Sequence, residues 1–189
     1  MSSTDPNVPK TEVIASVTAD RIRSKSLRNL LSYWESKEAF LSRLPARADL
    51  QPDEMVPFLP FVALINVQLN GNPRFQFRLV GTGIVGSMGR ETTNRTVDEG
   101  LFGANAVIVE SFFNIPLESR GPAYAAGKYT VAPSGRMLGF ETLLLPLSGD
   151  GGQTIDMLLG GLVGERIQRD EQICGFQYDY YCPVVQPKL

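Results

Sequence analysis

Between Arg74 and Glu91 the sequence changes period, and that change constrains the fold more than any other feature. Pro73–Val80 alternates, with Phe75, Phe77 and Leu79 on one face and Arg74, Gln76 and Arg78 on the other. Such alternation marks a strand buried on one face, the pattern of an antiparallel sheet. The period breaks at Gly81, and Gly81–Met88 reads as a short helical run. A second strand, Phe61–Leu69, precedes the first across Asn70-Gly71-Asn72, a hairpin signal. Gly81, Gly83 and Gly86 spell G-x-G-x-x-G. A dinucleotide site on that motif needs a strand buried on both faces, a βαβ unit and an acidic residue about 20 positions on. The strand alternates, a hairpin leads into it, and Asp98 and Glu99 come too early. The glycines are therefore read as a tight strand-to-helix corner, where a missing Cβ lets the backbone turn sharply.

Histidine is absent from the 189 residues. That removes Ser-His-Asp and Cys-His nucleophiles, histidine-ligated zinc and haem held by a proximal histidine. Two cysteines remain, Cys174 and Cys182, too few for a Cys-rich metal site and read as a reduced pair rather than a disulfide. No catalytic or metal-binding residue is assigned. The net charge of −2 gives no electrostatic case for nucleic acid or an anionic membrane. The polar start MSSTDPNVPK is neither a signal peptide nor an anchor, and no apolar run reads as a membrane span, so a cytoplasmic protein is expected.

In chain order, residues 1–17 read as a flexible arm. Residues 18–60 read as a helix and a proline-punctuated connector. Leu27, Leu30, Leu31 and Trp34 set the helical stripe, with Thr18 or Asp20 as its cap. The stripe can pack on its own domain or on the same helix of a second subunit. Residues 61–165 hold the core: the two strands above, helical runs over Gly81–Met88 and Thr96–Leu117, and strands over Gly121–Thr130, Met137–Leu147 and Gln153–Val163. Pro116 is expected to close the second helical run, and Asp150-Gly151-Gly152 to form the last hairpin turn. The tail, residues 166–189, carries Phe176, Tyr178 and Tyr180 at alternate positions. It can cover the sheet or contact a partner. The fold class is α+β: a five-stranded antiparallel sheet with connecting helices on one face and an N-terminal helix.

An ordered set of motifs runs through this frame. It comprises Tyr33-Trp34, Leu44-Pro45-x-Arg47-x-Asp49 with Pro52, Leu59-Pro60, Arg74-Phe75-x-x-Arg78-Leu79-Val80-Gly81-Thr82 and Gly89-Arg90-Glu91-x-Thr93. It ends with Phe140-Glu141-x-Leu143-Leu144-Leu145-Pro146-Leu147 and Asp156-Met157-Leu158-Leu159-Gly160. Together they resemble a PAS-like family of alphaproteobacterial proteins of unassigned function. The resemblance implies a curved five-stranded sheet, a sensory or interaction role, a small molecule between sheet and helices, and a homodimer through the N-terminal helix. Haem sensors of that superfamily hold iron through histidine, which this chain lacks. The light sensors need a cysteine in the helical connector, whereas Cys174 and Cys182 follow the last expected strand, which argues against a flavin-cysteinyl adduct. The stretch after Val163 is too short for an output domain, so any signal is expected to leave through an unknown protein partner or through oligomerisation.

The candidate ligand contacts are Phe77, Arg78, Leu79, Phe112, Phe113, Tyr124, Phe140, Glu141, Thr142 and Met157. Most are apolar, as small-molecule pockets are. Arg78, Glu141 and Asp156 stand out as charges inside apolar strands; Arg78 is the expected anchor, since a guanidinium holds a carboxylate with two parallel bonds. Two rival readings stay open. One is a ligand-free dimerisation or interaction module. The other is a small α+β enzyme using Glu141 or Asp156 with Tyr124 for proton transfer.

Overall fold

The computed structural model describes residues 16–71, 74–149 and 154–185. In chain order the elements are β1 (Val17–Thr18), α1 (Lys25–Leu41), β2 (Val62–Gln68), β3 (Arg74–Val80), α2 (Thr82–Met88), α3 (Glu99–Phe102) and α4 (Ala106–Ser119). They are followed by β4 (Ala123–Ala132), β5 (Met137–Leu147), β6 (Met157–Gly164) and β7 (Gln172–Val185). Three short 3-10 turns, Arg47–Asp49, Pro52–Met55 and Leu59–Phe61, join α1 to β2. The strands form one sheet in the order β1-β7-β4-β5-β6-β2-β3. The expected five strands are β2 to β6, but among the described residues the sheet has seven. β7 adds to the free edge of β4, from Ala123↔Pro183 to Ala132↔Gln172, and β1 runs parallel to β7. The end of the expected arm, Val17, thus pairs with Val184. The rest of that arm and the Asp150-Gly151-Gly152 turn lie outside the described residues.

Ser24 caps α1, its hydroxyl accepting from the Leu27 N–H at 3.4 Å. Thr18 and Asp20, the expected caps, bond each other instead. The stripe of Leu27, Leu30, Leu31 and Trp34 is buried against β5 and β6 of its own sheet. Burying such side chains stabilises by about 1.5–3 kcal/mol each. The Trp34 indole donates to the Pro146 carbonyl at 2.9 Å, so its one polar group is satisfied. Gly161 permits the approach: a Cβ there would lie 2.7 Å from the Leu27 and Leu30 side chains.

The G-x-G-x-x-G run is the β3–α2 corner. The Gly81 N–H donates to the Val62 carbonyl at 2.8 Å, and a Cβ on Gly81 would stand 2.3 Å from the Pro60 carbonyl oxygen. That space is filled by backbone, with no room for a pyrophosphate. The alternation of β3 does not run its full length. Ile65 pairs with Phe77 and Leu64 with Leu79, so Arg78 is an extra residue in a β-bulge. Phe77 faces the helices while Leu79 turns to the opposite face.

The second helical run is two helices. α3 ends at Gly103, whose φ of +57° suits a residue without a side chain, and α4 begins three residues later. Pro116 does not close α4; it lies inside the helix, which ends at Ser119 with Arg120 in the left-handed conformation. Glu99–Ser119 is long and apolar enough to cross a membrane by length and composition. Here it is broken at Gly103, and Val109, Phe112 and Phe113 bury one face in the core.

Candidate functional site

The sheet surface under α2 and α4 is apolar because alternate residues of each strand point there. β2 contributes Ala63 and Ile65, and β3 contributes Phe75 and Phe77. β5 contributes Phe140, Thr142 and Leu144, paired with Gly164, Leu162 and Gly160 of β6. β7 contributes Phe176 and Tyr178. Ile84 and Met88 of α2, Phe102 of α3, and Val109 and Phe113 of α4 close over them. A cavity of about 60 Å³ remains between the layers.

Aromatic rings fill most of the surrounding space. Phe140 stacks on Phe176 with centroids 4.8 Å apart, and Phe113 meets Phe75 edge-on at 5.2 Å. These are the offset and edge-to-face arrangements that ring quadrupoles favour. Gly160 keeps the floor low, since a Cβ there would come within 2.8 Å of the Ile65 side chain. The Thr142 hydroxyl, at the cavity wall, donates to the Gly161 carbonyl at 2.9 Å. The Ser87 hydroxyl ties α2 to the sheet: its single proton is shared between the Gly164 carbonyl at 2.9 Å and the Gly83 carbonyl at 3.1 Å. No charged side chain lines the cavity among the described residues.

Of the expected contacts, Phe77, Phe113, Phe140 and Thr142 meet at this cavity. The other six lie elsewhere. Arg78 is exposed at the bulge and outside the lining, so the anchoring carboxylate partner expected for it has no place in the cavity. Leu79 is turned to the other face by the same bulge. Phe112 is buried behind the cavity against Tyr178 and Tyr181. Met157 pairs with Leu147 and Asn66 on the opposite face. Asp156 accepts from the Gly149 N–H at 3.1 Å, closing the β5–β6 connection.

Tyr124 and Glu141 do come together, on the face that α1 covers. Glu141 Oε2 accepts from the Tyr124 hydroxyl at 2.6 Å, the Arg23 N–H at 2.9 Å and the Ser24 N–H at 3.2 Å. The Arg23 guanidinium lies 3.5 Å from Oε1. Burial, and then the adjoining carboxylate, push the Tyr124 hydroxyl far above its ordinary pKa, so it stays protonated. The group fastens the start of α1; neither residue faces the cavity.

Phe176 and Tyr178 supply a wall that the sequence reading placed in the tail without assigning it to the site. Their alternation was the available signal. Cys174 is exposed and Cys182 buried, both as free thiols, and burial pushes the Cys182 thiol up to about 11. Among the described residues no cluster of His, Cys, Asp or Glu is arranged to hold a metal.

The strand order β3-β2-β6-β5-β4 within the sheet, with the connecting helices α2 to α4 on one face and α1 on the other, agrees with the PAS resemblance. No curated protein and no solved structure matches this chain. A family model for the PAS domain matches residues 22–163, from the segment that enters α1 to the end of β6. The chain belongs to the PAS domain family.

Proposed function

We propose that this chain is a PAS sensory module that takes a small, neutral, apolar molecule in the cavity between sheet and helices. PAS domains are in general sensory and signalling modules rather than catalysts. The observation that carries the finer reading is the lining. Phe77, Phe113, Phe140 and Leu144 surround a space without a charged group, and Thr142 has already committed its hydroxyl. Recognition there is by shape and dispersion, not by ion pairing. An apolar void of about 150 Å³ admits benzene. The 60 Å³ present therefore suits a molecule of a few heavy atoms. A larger ligand needs the partly buried rings of Phe77 and Phe102 to move.

A second reading is a ligand-free interaction module, favoured by how fully the aromatic rings already occupy the site. In that case the N-terminal helix carries the contact. Its buried stripe is used within the domain, but Phe40 at its far end is 86% exposed and offers an apolar contact to a second copy.

Native mass spectrometry of freshly purified protein, with xenon-pressure methyl NMR, separates the two. Under the ligand reading, a mass excess lost on denaturation or shifts at the Ile84 and Leu144 methyls are expected. A bare mass with no methyl shifts, and a doubled native mass, would move the function to the interface.

A further inference from the structure

The face of the sheet away from the cavity carries a second concavity. Val62 and Leu64 alternate with the cavity residues Ala63 and Ile65 along β2, so they point the other way. The bulge brings Leu79 beside them, and Leu159 of β6 completes the floor. The 3-10 turns between α1 and β2 form the rim, with Met55 and Leu59 at its edge. The hollow measures about 490 Å³, inside the range of about 300–1,000 Å³ found for small-molecule sites. Val56, Leu59 and Leu79, 62%, 38% and 45% exposed, converge on it. Large apolar side chains left open together in a concave place mark a binding surface.

Charge provides the second observation. In the stretch from Leu44 to Leu50 nearly every polar group has a structural task. Pro45 accepts from the Ser148 N–H at 2.9 Å. Asp49 accepts from the Ala46 N–H at 2.8 Å and pairs with Arg43 at 2.9 Å. Arg47, on the wall of the hollow, has neither a carboxylate nor a carbonyl partner for its guanidinium among the described residues. No acidic side chain among the described residues lines the hollow. A cation at the rim of an uncharged apolar trough complements an anion with an apolar body. It does not complement a second copy of itself, because a two-fold contact sets the same patch against itself and would leave both cations unpaired.

We propose that this groove binds a small amphipathic carboxylate, its apolar body on Met55, Leu59, Leu64 and Leu79 and its carboxylate on Arg47. The site is distinct from the cavity and does not depend on what the cavity holds.

The test is an NMR titration of the full chain, methyl-labelled, with octanoate, 1-octanol and octylammonium below the concentrations at which they aggregate. Octanoate is expected to bind tightest and to move the Val56, Leu64 and Leu79 methyls while leaving Ile84 and Leu144 in place. Arg47→Gln is expected to weaken octanoate about five-fold, the size of an exposed ion pair. It leaves octanol unchanged, while Arg47→Lys retains most of the effect. Leu79→Asp, at an exposed position, is expected to abolish binding of both without unfolding the protein. The proposal is overturned by an absence of groove shifts, by octanoate binding no better than octylammonium, by equal affinity in Arg47→Gln, or by shifts at the cavity methyls instead. Groove shifts that follow protein concentration alone would assign the surface to self-association and overturn it too.

Discussion

Tyr124 donates a 2.6 Å hydrogen bond to Glu141, and the same carboxylate oxygen receives the backbone N–H groups of Arg23 and Ser24. One side chain of β5 thereby ties the sheet to the start of α1. Replacing Glu141 with Leu leaves the buried Tyr124 hydroxyl and the segment entering the helix without their acceptor. The expected loss is about 2–3 kcal/mol, against about 1–2 kcal/mol for Tyr124→Phe, which removes one bond. Urea denaturation midpoints check the order. Equal stabilities would mean that packing alone holds α1.

Gly81 stands where backbone meets backbone. A Cβ there would lie 2.3 Å from the Pro60 oxygen and 2.6 Å from its carbonyl carbon, and neither atom can swing aside as a side chain does. Gly81→Ala is expected to cost about 1–3 kcal/mol, the usual range for forcing extra volume into a packed site. Gly139→Ala, with nothing within 4 Å of the new methyl, is the control and is expected to be neutral or mildly stabilising. Thermal melts of the pair give the comparison.

The Glu171 carboxyl is held at about 2 by the Arg136 guanidinium, then by the Ser134 hydroxyl and the Gln168 N–H. Arg136 reaches it with two bonds, at 3.0 and 2.8 Å. Its ordinary value is 4.5. The unfolded chain therefore binds more protons between those values. The stabilisation is complete above pH 4.5 and is lost as pH falls toward 2. Glu171→Gln should be less stable than the wild type at pH 7, and the gap should close across that window. Denaturant midpoints at pH 7, 4 and 3 measure it; a constant gap would remove this carboxylate from the acid response.

Tyr178 is 2% exposed and packs on Phe112, Phe140, Phe176 and Tyr181. Tyr178→Ala is expected to destabilise by about 3–5 kcal/mol, as large aromatic truncations do. A chain ending at residue 166 loses all of β7 and should bind a dye for exposed apolar surface. A cooperative melt close to that of the full chain would show that β7 is dispensable.

The parts of the fold that the sequence disclosed are those with an unbroken period. Met137–Leu147 has the expected limits, and Leu27, Leu30, Leu31 and Trp34 form the stripe that their spacing describes. The misses follow interruptions. β7 pairs with β4 through two register shifts, at Ala126/Gly127 and Thr130/Val131. Its alternation therefore restarts twice: Phe176 and Tyr178 share a face, and Tyr180, beyond the inserted Asp179, turns to the other. In β3 one inserted residue sends Leu79 away from Phe77, which no count of apolar positions reveals. At the site, Phe113 and Phe112 are neighbours on α4, and only the rotation of the helix decides which one faces the cavity. Glu141 was legible as an unusual charge, but its partners, Arg23 and Ser24, lie more than 100 residues away in sequence.

The bulge at Arg78 has a consequence for how the sequence can vary. Phe77 serves the cavity, Leu79 serves the opposite groove, and Arg78 is the residue that lets consecutive odd positions face different ways. Its side chain is exposed, so exchanges of residue type there cost little. Removal of the position is another matter: it would return β3 to a strict two-residue period and displace Gly81 from its seat against Pro60. Position 78 is free in identity and fixed in length.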